Sequence, residues 1–235
     1  MERSGYVGDM ALATFKDLVI DASDGRRLGA FWAQVLGRRL EENGAGDVVL
    51  RGRRPTQTVW IDQVPEPKTV KNRVHLDVHT AGIGALTALG ATVLNDTDFQ
   101  WVVMADPEGQ EFCAFVRDQP PDDLLYEVVV DCADPAAVAT WWGQVFDVKE
   151  QSHDDGAYYS LEGLPGTSFD GMSFVPVPEP KTAKNRVHWD VKGSVTALLE
   201  AGARMIRPAT ENPEPDRNWD VLTDPEGNEF CVFAS

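Results

Sequence analysis

The sequence predicts an α+β fold built from two tandem copies of one unit, and three observations carry that prediction. The first is internal repetition along the 235 residues. LVIDASD, ending at Asp24, returns as VVVDCAD, ending at Asp134; VPEPKTVKNRVHLDV at Val64–Val78 returns as VPEPKTAKNRVHWDV at Val177–Val191; and DPEGQEFCAF at Asp106–Phe115 returns as DPEGNEFCVF at Asp224–Phe233. The offsets of 110, 113 and 118 residues describe a duplication whose second copy gained a few insertions, with domains at 1–118 and 119–235. The second observation is apolar–polar alternation in short segments, the signature of half-buried strands. The third is a stripe at helical spacing near the start of each copy.

Lys16 to Ala22 alternates, with Leu18 and Ile20 on one face and Asp17, Val19 and Asp21 on the other. Tyr126 to Cys132 repeats it, with Glu127, Val129 and Asp131 on the polar face. A helix follows. In the second copy Asp134 is placed to cap it and Pro135 suits its first turn. Its stripe of Val138, Trp141, Trp142, Val145 and Phe146 matches Leu28, Phe31, Trp32, Val35 and Leu36, so Trp32, Trp141 and Trp142 are expected in the core. Extended runs are expected at 47–51 and 56–64, and at 157–161 and 171–177. Arg73 to Val78 alternates again, with His75 and Asp77 sharing one face, as do His188 and Asp190. A shorter helix ends at Gly90 or Gly202, each suited to a left-handed cap. Two strands around an Asp-Pro-Glu-Gly turn then close the unit. Each copy thus makes two passes through a βαβββ-like order.

Composition narrows the function. The net charge of −17 is uneven: residues 1–118 hold 17 acidic and 13 basic side chains, a net of −4, and residues 119–235 hold 21 and 8, a net of −13. Such a field repels polyanions, which argues against nucleic acid and anionic membranes as partners. Residues 1–15 contain no apolar leader core, and no run approaches the ~20 apolar residues that span a bilayer. Three cysteines without a CxxC pair do not make a disulfide framework, so a cytoplasmic protein with reduced thiols is expected.

The strand ending in Asp before an FWxxVLG-like helix, the RVHxDV strand and the DPEGxEFC hairpin, in one order and twice, resemble the vicinal oxygen chelate superfamily. The likeness is to the glyoxalase-like domains of the glyoxalase, bleomycin-resistance and ring-cleaving dioxygenase group. The resemblance implies tandem glyoxalase-like domains whose paired βαβββ modules curl mixed sheets around a cup. It also implies metal ligands on the first and last strands of a module. Carried over to this chain, the first-strand position falls near Asp17 and Glu127, and the matching strand of the second module gives His75 and His188. The last-strand Glu falls on Cys113 and Cys231, a departure from the family pattern. The remaining ligand strand, at 58–62 and 172–175, offers no histidine or glutamate.

Asp17, His75 and Cys113, or Glu127, His188 and Cys231, could converge on a divalent transition metal, for which mixed carboxylate and thiolate suit zinc or iron. The opposing reading is that cysteine in a Phe-Cys-Ala-Phe strand is ordinary core and each histidine a satisfied polar residue. The KTxKNR loops, with Lys68, Lys71, Arg73, Lys181, Lys184 and Arg186, are either an anion clamp or a structural feature kept by the duplication. Asp21 and Asp77, or Asp131 and Asp190, either gather around the histidine, where crowded carboxylates favour a cationic ligand or a general base, or sit at strand ends facing water. Trp60, Phe99 and Trp101, with Phe174, Trp189 and Trp219, supply aromatic walls suited to a small-molecule pocket. The resemblance therefore implies a monomeric pseudo-dimer, or a homodimer, that binds a small aromatic or cationic molecule without a cofactor, in sequestration or resistance. The alternatives are a metal-dependent lyase, isomerase or dioxygenase, and a scaffold for basic partners.

Overall fold

The computed structural model describes residues 11–212 and 218–234; most of the leader region considered above lies outside them. Four βαβββ modules follow one another. The first is β1 (Ala13–Ala22), α1 (Gly25–Val35), β2 (Arg39–Glu42), β3 (Val48–Arg51) and β4 (Val59–Gln63). The second is β5 (Val74–Thr80), α2 (Ile83–Ala88), β6 (Thr92–Asn95), β7 (Val102–Ala105) and β8 (Glu111–Val116). The third is β9 (Leu125–Cys132), α3 (Pro135–Phe146), β10 (Gln151–His153), β11 (Tyr158–Glu162) and β12 (Gly171–Pro176). The fourth is β13 (Val187–Gly193), α4 (Val195–Glu200), β14 (Arg204–Arg207), β15 (Asp220–Thr223) and β16 (Glu229–Phe233).

The helix signals read from the sequence are in place. Asp24 and Asp134 cap α1 and α3, accepting from the backbone N–H of Arg27 and of Ala137, each at 3.0 Å. Pro135 opens α3. Gly90 and Gly202 follow the short helices at φ +108° and +105°, where a Cβ would be strained. The strands β2, β6, β10 and β14 were not expected. Each is three or four residues long with exposed or half-buried side chains, so no fully buried face imposes alternation on its sequence. The run expected from residue 56 begins instead at Val59, because Pro55–Gln57 form a 3₁₀ turn.

The modules assemble into two eight-stranded mixed sheets. Sheet A runs β14-β15-β16-β13-β1-β4-β3-β2 and sheet B runs β10-β11-β12-β9-β5-β8-β7-β6. Sheet A therefore joins the first module of one repeat to the second module of the other, and sheet B joins the remaining two. The seams are antiparallel: β1 pairs with β13, placing Asp17 opposite Asp190, and β5 pairs with β9, placing Asp77 opposite Glu127. Exchanging the repeats maps one sheet onto the other.

One hydrophobic cluster fills the helix side of both sheets, including Leu18, Ile20, Val128, Val130 and the α1 and α3 stripes. Trp142 packs edge-on against Trp189 and Phe230, each at 5.0 Å. Its indole N–H donates to Asp224 at 3.1 Å, as that of Trp32 does to Asp106. These bonds tie each helix to the Asp-Pro-Glu-Gly turn of its own repeat. Trp32, Trp141 and Trp142 are buried, as their helical spacing predicted. No helix among the described residues is long and apolar enough to cross a membrane, and the three cysteines are free and buried.

Candidate functional site

Each sheet has a polar cup on the face opposite the helices, and the two cups differ. In cup B, on sheet B, strand register aligns Glu127 of β9, Asp77 of β5 and Cys113 of β8 in one row. His75 lies two residues along the same face of β5. One donor atom from each of His75, Asp77 and Cys113 falls within 4.8 Å of the others. His75 Nε2 is 3.6 Å from Asp77 Oδ1, an oxygen with no hydrogen bond among the described residues. The Ser173 hydroxyl donates to Glu127 at 2.8 Å.

Burial governs the protonation of this row. It pushes the Asp77 carboxyl well above the usual range, with nearby Glu127 adding to the shift, and it raises Glu127 despite its hydrogen bonds from Ser173 and Tyr126. Burial also pushes the Cys113 thiol up and lowers His75 to about 4, so the imidazole is neutral at pH 7. No lysine or arginine among the described residues is within salt-bridge distance of Asp77 or Glu127. Two residues along β8 and β5 from the row, Phe115 and His79 belong to an aromatic ladder. Phe99 stacks on Trp101 at 5.0 Å and Trp101 on Phe115 at 5.5 Å, Tyr126 meets the edge of Phe115 at 5.2 Å, and His79 lies 4.6 Å from Tyr126.

Cup A, on sheet A, has the corresponding row of Asp17, Asp190 and Cys231, with His188 beside it. Here the protein supplies a cation. Lys16 Nζ donates to Asp17 at 2.5 Å and to Asp190 at 3.3 Å, and lies 4.1 Å from the Phe233 ring. Trp60 Nε1–H donates to Asp17 at 3.0 Å, and Trp219 stacks on Phe233 at 5.3 Å. Burial raises Asp190 to about 7 although Lys16 opposes the shift, and it lowers His188 to about 4.

These placements correct several expectations. Asp17 does not join His75 and Cys113, nor Glu127 join His188 and Cys231; because the sheets pair across repeats, each acidic residue stands in the other repeat's row. In the same way Asp21 faces His188, at 3.9 Å, rather than Asp77, while the field of Asp131 acts on His75 rather than on Asp190. Trp189 is not a wall of either cup. Alternation turns it to the helix side, where it is fully buried, and Phe174 is buried likewise. Alternation also set Lys16 and Tyr126 on the core face, in phase with Leu18 and Val128. A β-bulge at each, between Phe15 and Asp17 on β1 and opposite the Asp77–Val78 step on β9, turns them into the cups. A lysine in the apolar phase of a strand was the signal in the sequence.

The KTxKNR loops meet each other across the repeats. Arg186 donates to the Glu66 carbonyl at 2.7 Å, and Arg73 donates reciprocally to the Glu179 carbonyl. Lys68 pairs with Glu111 at 3.0 Å and Lys181 with Glu229 at 2.8 Å, while Lys71 holds Asp131 and Lys184 holds Asp21. A cavity of about 400 Å³ lies between the loops. The two arginines with Lys71 and Lys184 reach across the repeats as a clasp, while Arg73 Nε and Arg186 Nε and Nη2 have no hydrogen-bond partner among the described residues.

Cup B combines neutral imidazole, thiol and two carboxyls beside aromatic rings; Lys71 acts on His75 and Cys113 and Arg117 lies over Phe115, but Asp77 and Glu127 have no salt-bridged cation among the described residues. That donor set fits a divalent transition ion such as zinc, which His75, Asp77 and Cys113 would hold. Such an ion would act as a Lewis acid toward a ligand oxygen. The same carboxyls also suit an organic cation, whose charge would favour their ionised forms.

The structure is similar to glyoxalase I from Zea mays, with 13% identity over 94% of this chain and 92% of that one and a TM-score of 0.64. A mutant of that enzyme gives 14% identity over 95% and 94%, with a TM-score of 0.62. The cppA protein from Streptococcus pneumoniae TIGR4 gives 11% identity over 95% and 100%, with a TM-score of 0.50. At such identities the likeness is one of fold. No curated protein matches the sequence significantly. The sequence model of the glyoxalase-like domain matches residues 17–115 and again residues 127–233. With both repeats matched and four βαβββ modules paired into two sheets, the chain belongs to the glyoxalase-like domain family, as a tandem member of the vicinal oxygen chelate superfamily.

Proposed function

We propose that this protein binds a small aromatic or cationic organic molecule in cup B, in sequestration or resistance, as a cytoplasmic pseudo-dimer of repeats 1–118 and 119–235. The observation that carries this reading is the Phe99–Trp101–Phe115 ladder on the same sheet as buried Asp77 and half-buried Glu127, two carboxyls with no salt-bridged cation among the described residues. Flat rings can stack on the ladder and a positive charge can reach the carboxyls, so cation–π and ion-pair attraction act together. Because both carboxyls are raised by burial, a cation that ionises them displaces protons, and affinity should rise with pH.

Titrating tryptophan fluorescence against a panel of aromatic and cationic compounds tests the reading. Saturable quenching is expected with at least one compound, weakened about tenfold or more by Trp101→Ala or Asp77→Asn, on the scale of a lost stacking or charged contact. No saturable response to any compound would reject it.

A second reading rests on the convergence of His75, Asp77 and Cys113: a metal-dependent lyase, isomerase or dioxygenase. Elemental analysis of protein purified without chelator separates the two. About one transition metal per chain, lost on His75→Ala and on Cys113→Ser, would replace the metal-free reading; each such ligand is one of the few a site requires.

A further inference from the structure

Cups A and B are built from equivalent strands, which makes each a control for the other. Their rows hold acidic residue, aspartate and cysteine: Glu127, Asp77 and Cys113 in one, Asp17, Asp190 and Cys231 in the other. In both, a histidine stands beside the row and the donor atoms of the histidine, aspartate and cysteine fall within 4.8 Å of one another. Both also have a one-residue bulge next to the first-strand acid, and the bulge aims a side chain into the cup. In cup B that side chain is Tyr126, a neutral phenol hydrogen-bonded to Glu127. In cup A it is Lys16.

The Lys16 ammonium occupies the two carboxylates that an incoming cation would use, while Lys184 acts on His188 and Cys231 as Lys71 acts on their cup B counterparts. Lys16 bonds to carboxylates on both seam strands, Asp17 at 2.5 Å and Asp190 at 3.3 Å, and covers the Phe233 ring at 4.1 Å. Phe233 matches Phe115, the rung of the cup B ladder nearest its acidic row. Lys16 therefore takes up the carboxylates that suit cup B to a cation; the matching ring is engaged in both cups, since Arg117 lies 5.5 Å from the Phe115 ring. A free cation entering cup A would have to displace a tethered one, whose local concentration is set by the chain and does not fall on dilution. It would also leave an ammonium in a site with about one-fifth of its side chain exposed, where an unpaired charge is costly. Asp62, opposite Asp21 on β4, adds its field to Asp190, and the cup remains acidic enough to take a cation once the lysine is removed.

We infer that Lys16 is a resident cation that closes cup A to metal ions and organic cations, leaving one cation-accepting cup per chain. The statement about cup A is independent of the function proposed above; only the assignment of the open cup to cup B rests on it.

Zinc alone is the probe, titrated calorimetrically into the intact wild-type protein, Lys16→Met and Lys16→Arg, with Trp60 fluorescence reporting on cup A through its bond to Asp17. The wild type should show no Trp60 response, assigned by its loss in Trp60→Phe. Lys16→Met should gain one zinc site with a Trp60 response and at least tenfold tighter binding there, while Lys16→Arg should gain none. A wild-type Trp60 response to zinc would overturn the inference even if Lys16→Met fails to fold. So would a folded Lys16→Met variant with no added site, or a Lys16→Arg variant that gains one. Wild type with no site and Lys16→Met with one would uphold the closure of cup A while removing the metal reading of cup B.

Discussion

Glu226, in the second Asp-Pro-Glu-Gly turn, lies in the stretch that resembles the metal-binding hairpin of the family, yet its carboxylate is spent on the backbone. It accepts from the N–H of Ala133 at 2.8 Å and of Asp134 at 2.6 Å, the two residues leading into α3. Glu108 does the same for Ser23 and Asp24 before α1, both at 2.8 Å. Hydrogen bonds to a charged acceptor contribute about 1.5–3 kcal/mol each, and exposure holds these near the lower figure, so Glu226→Ala should cost about 3 kcal/mol. For a chain of this size each kcal/mol shifts Tm by about 2–4 °C, giving a fall of about 6–12 °C. Glu108→Ala should match it, and Glu226→Gln, which keeps one acceptor oxygen, should fall between. Thermal unfolding followed by circular dichroism at pH 7, with urea unfolding for the free energy, measures this. Melting of both alanine variants within about 1 °C of wild type would refute the assignment of these glutamates to helix anchoring.

The thiols of Cys113, Cys132 and Cys231 are buried and raised, Cys132 to about 12, so Ellman's reagent at pH 8 should leave all three unreacted over minutes in the native protein and titrate all three in urea. A native thiol reacting at the rate of free cysteine would contradict that burial. His188 is lowered to about 4, against about 6.5 in the unfolded chain, so the unfolded state binds more protons between those values and stability contributed by neutral His188 is lost as pH falls through that window. His188→Gln should remove that loss: its stability relative to wild type should rise on the order of 2 kcal/mol from pH 7.5 to 4.5 by urea unfolding, and an unchanged difference would refute it. Asp190, raised to about 7, slopes the opposite way, its native form holding a proton as pH falls below 7, so the wild-type profile alone would mask both.

Much of the fold is legible along the chain because its determinants are local. Asp134 and Pro135 mark the start of α3, the stripe from Val138 to Phe146 marks its buried face, and Gly90 and Gly202 mark the ends of the short helices. His75 with Asp77, and His188 with Asp190, share a face by simple alternation. The edge strands β6 and β14 left no pattern, because side chains with solvent on both faces obey no period. Trp189 was misassigned by its type, though the alternation that placed His188 and Asp190 in a cup already placed the residue between them in the core.

The sequence by itself determined the repeat, the capped helices and the two histidine strands, since each is written in residues close along the chain. Only the tertiary structure decided which acid meets which histidine and what stands beside them. Pairing of β1 with β13 and of β5 with β9 depends on backbone hydrogen bonds between segments far apart in sequence, and these exchange Asp17 and Glu127 between rows. One extra residue in each bulge then reverses the phase of the strand, turning Lys16 and Tyr126 from the core into the cups and giving two repeats that share their motifs unlike sites.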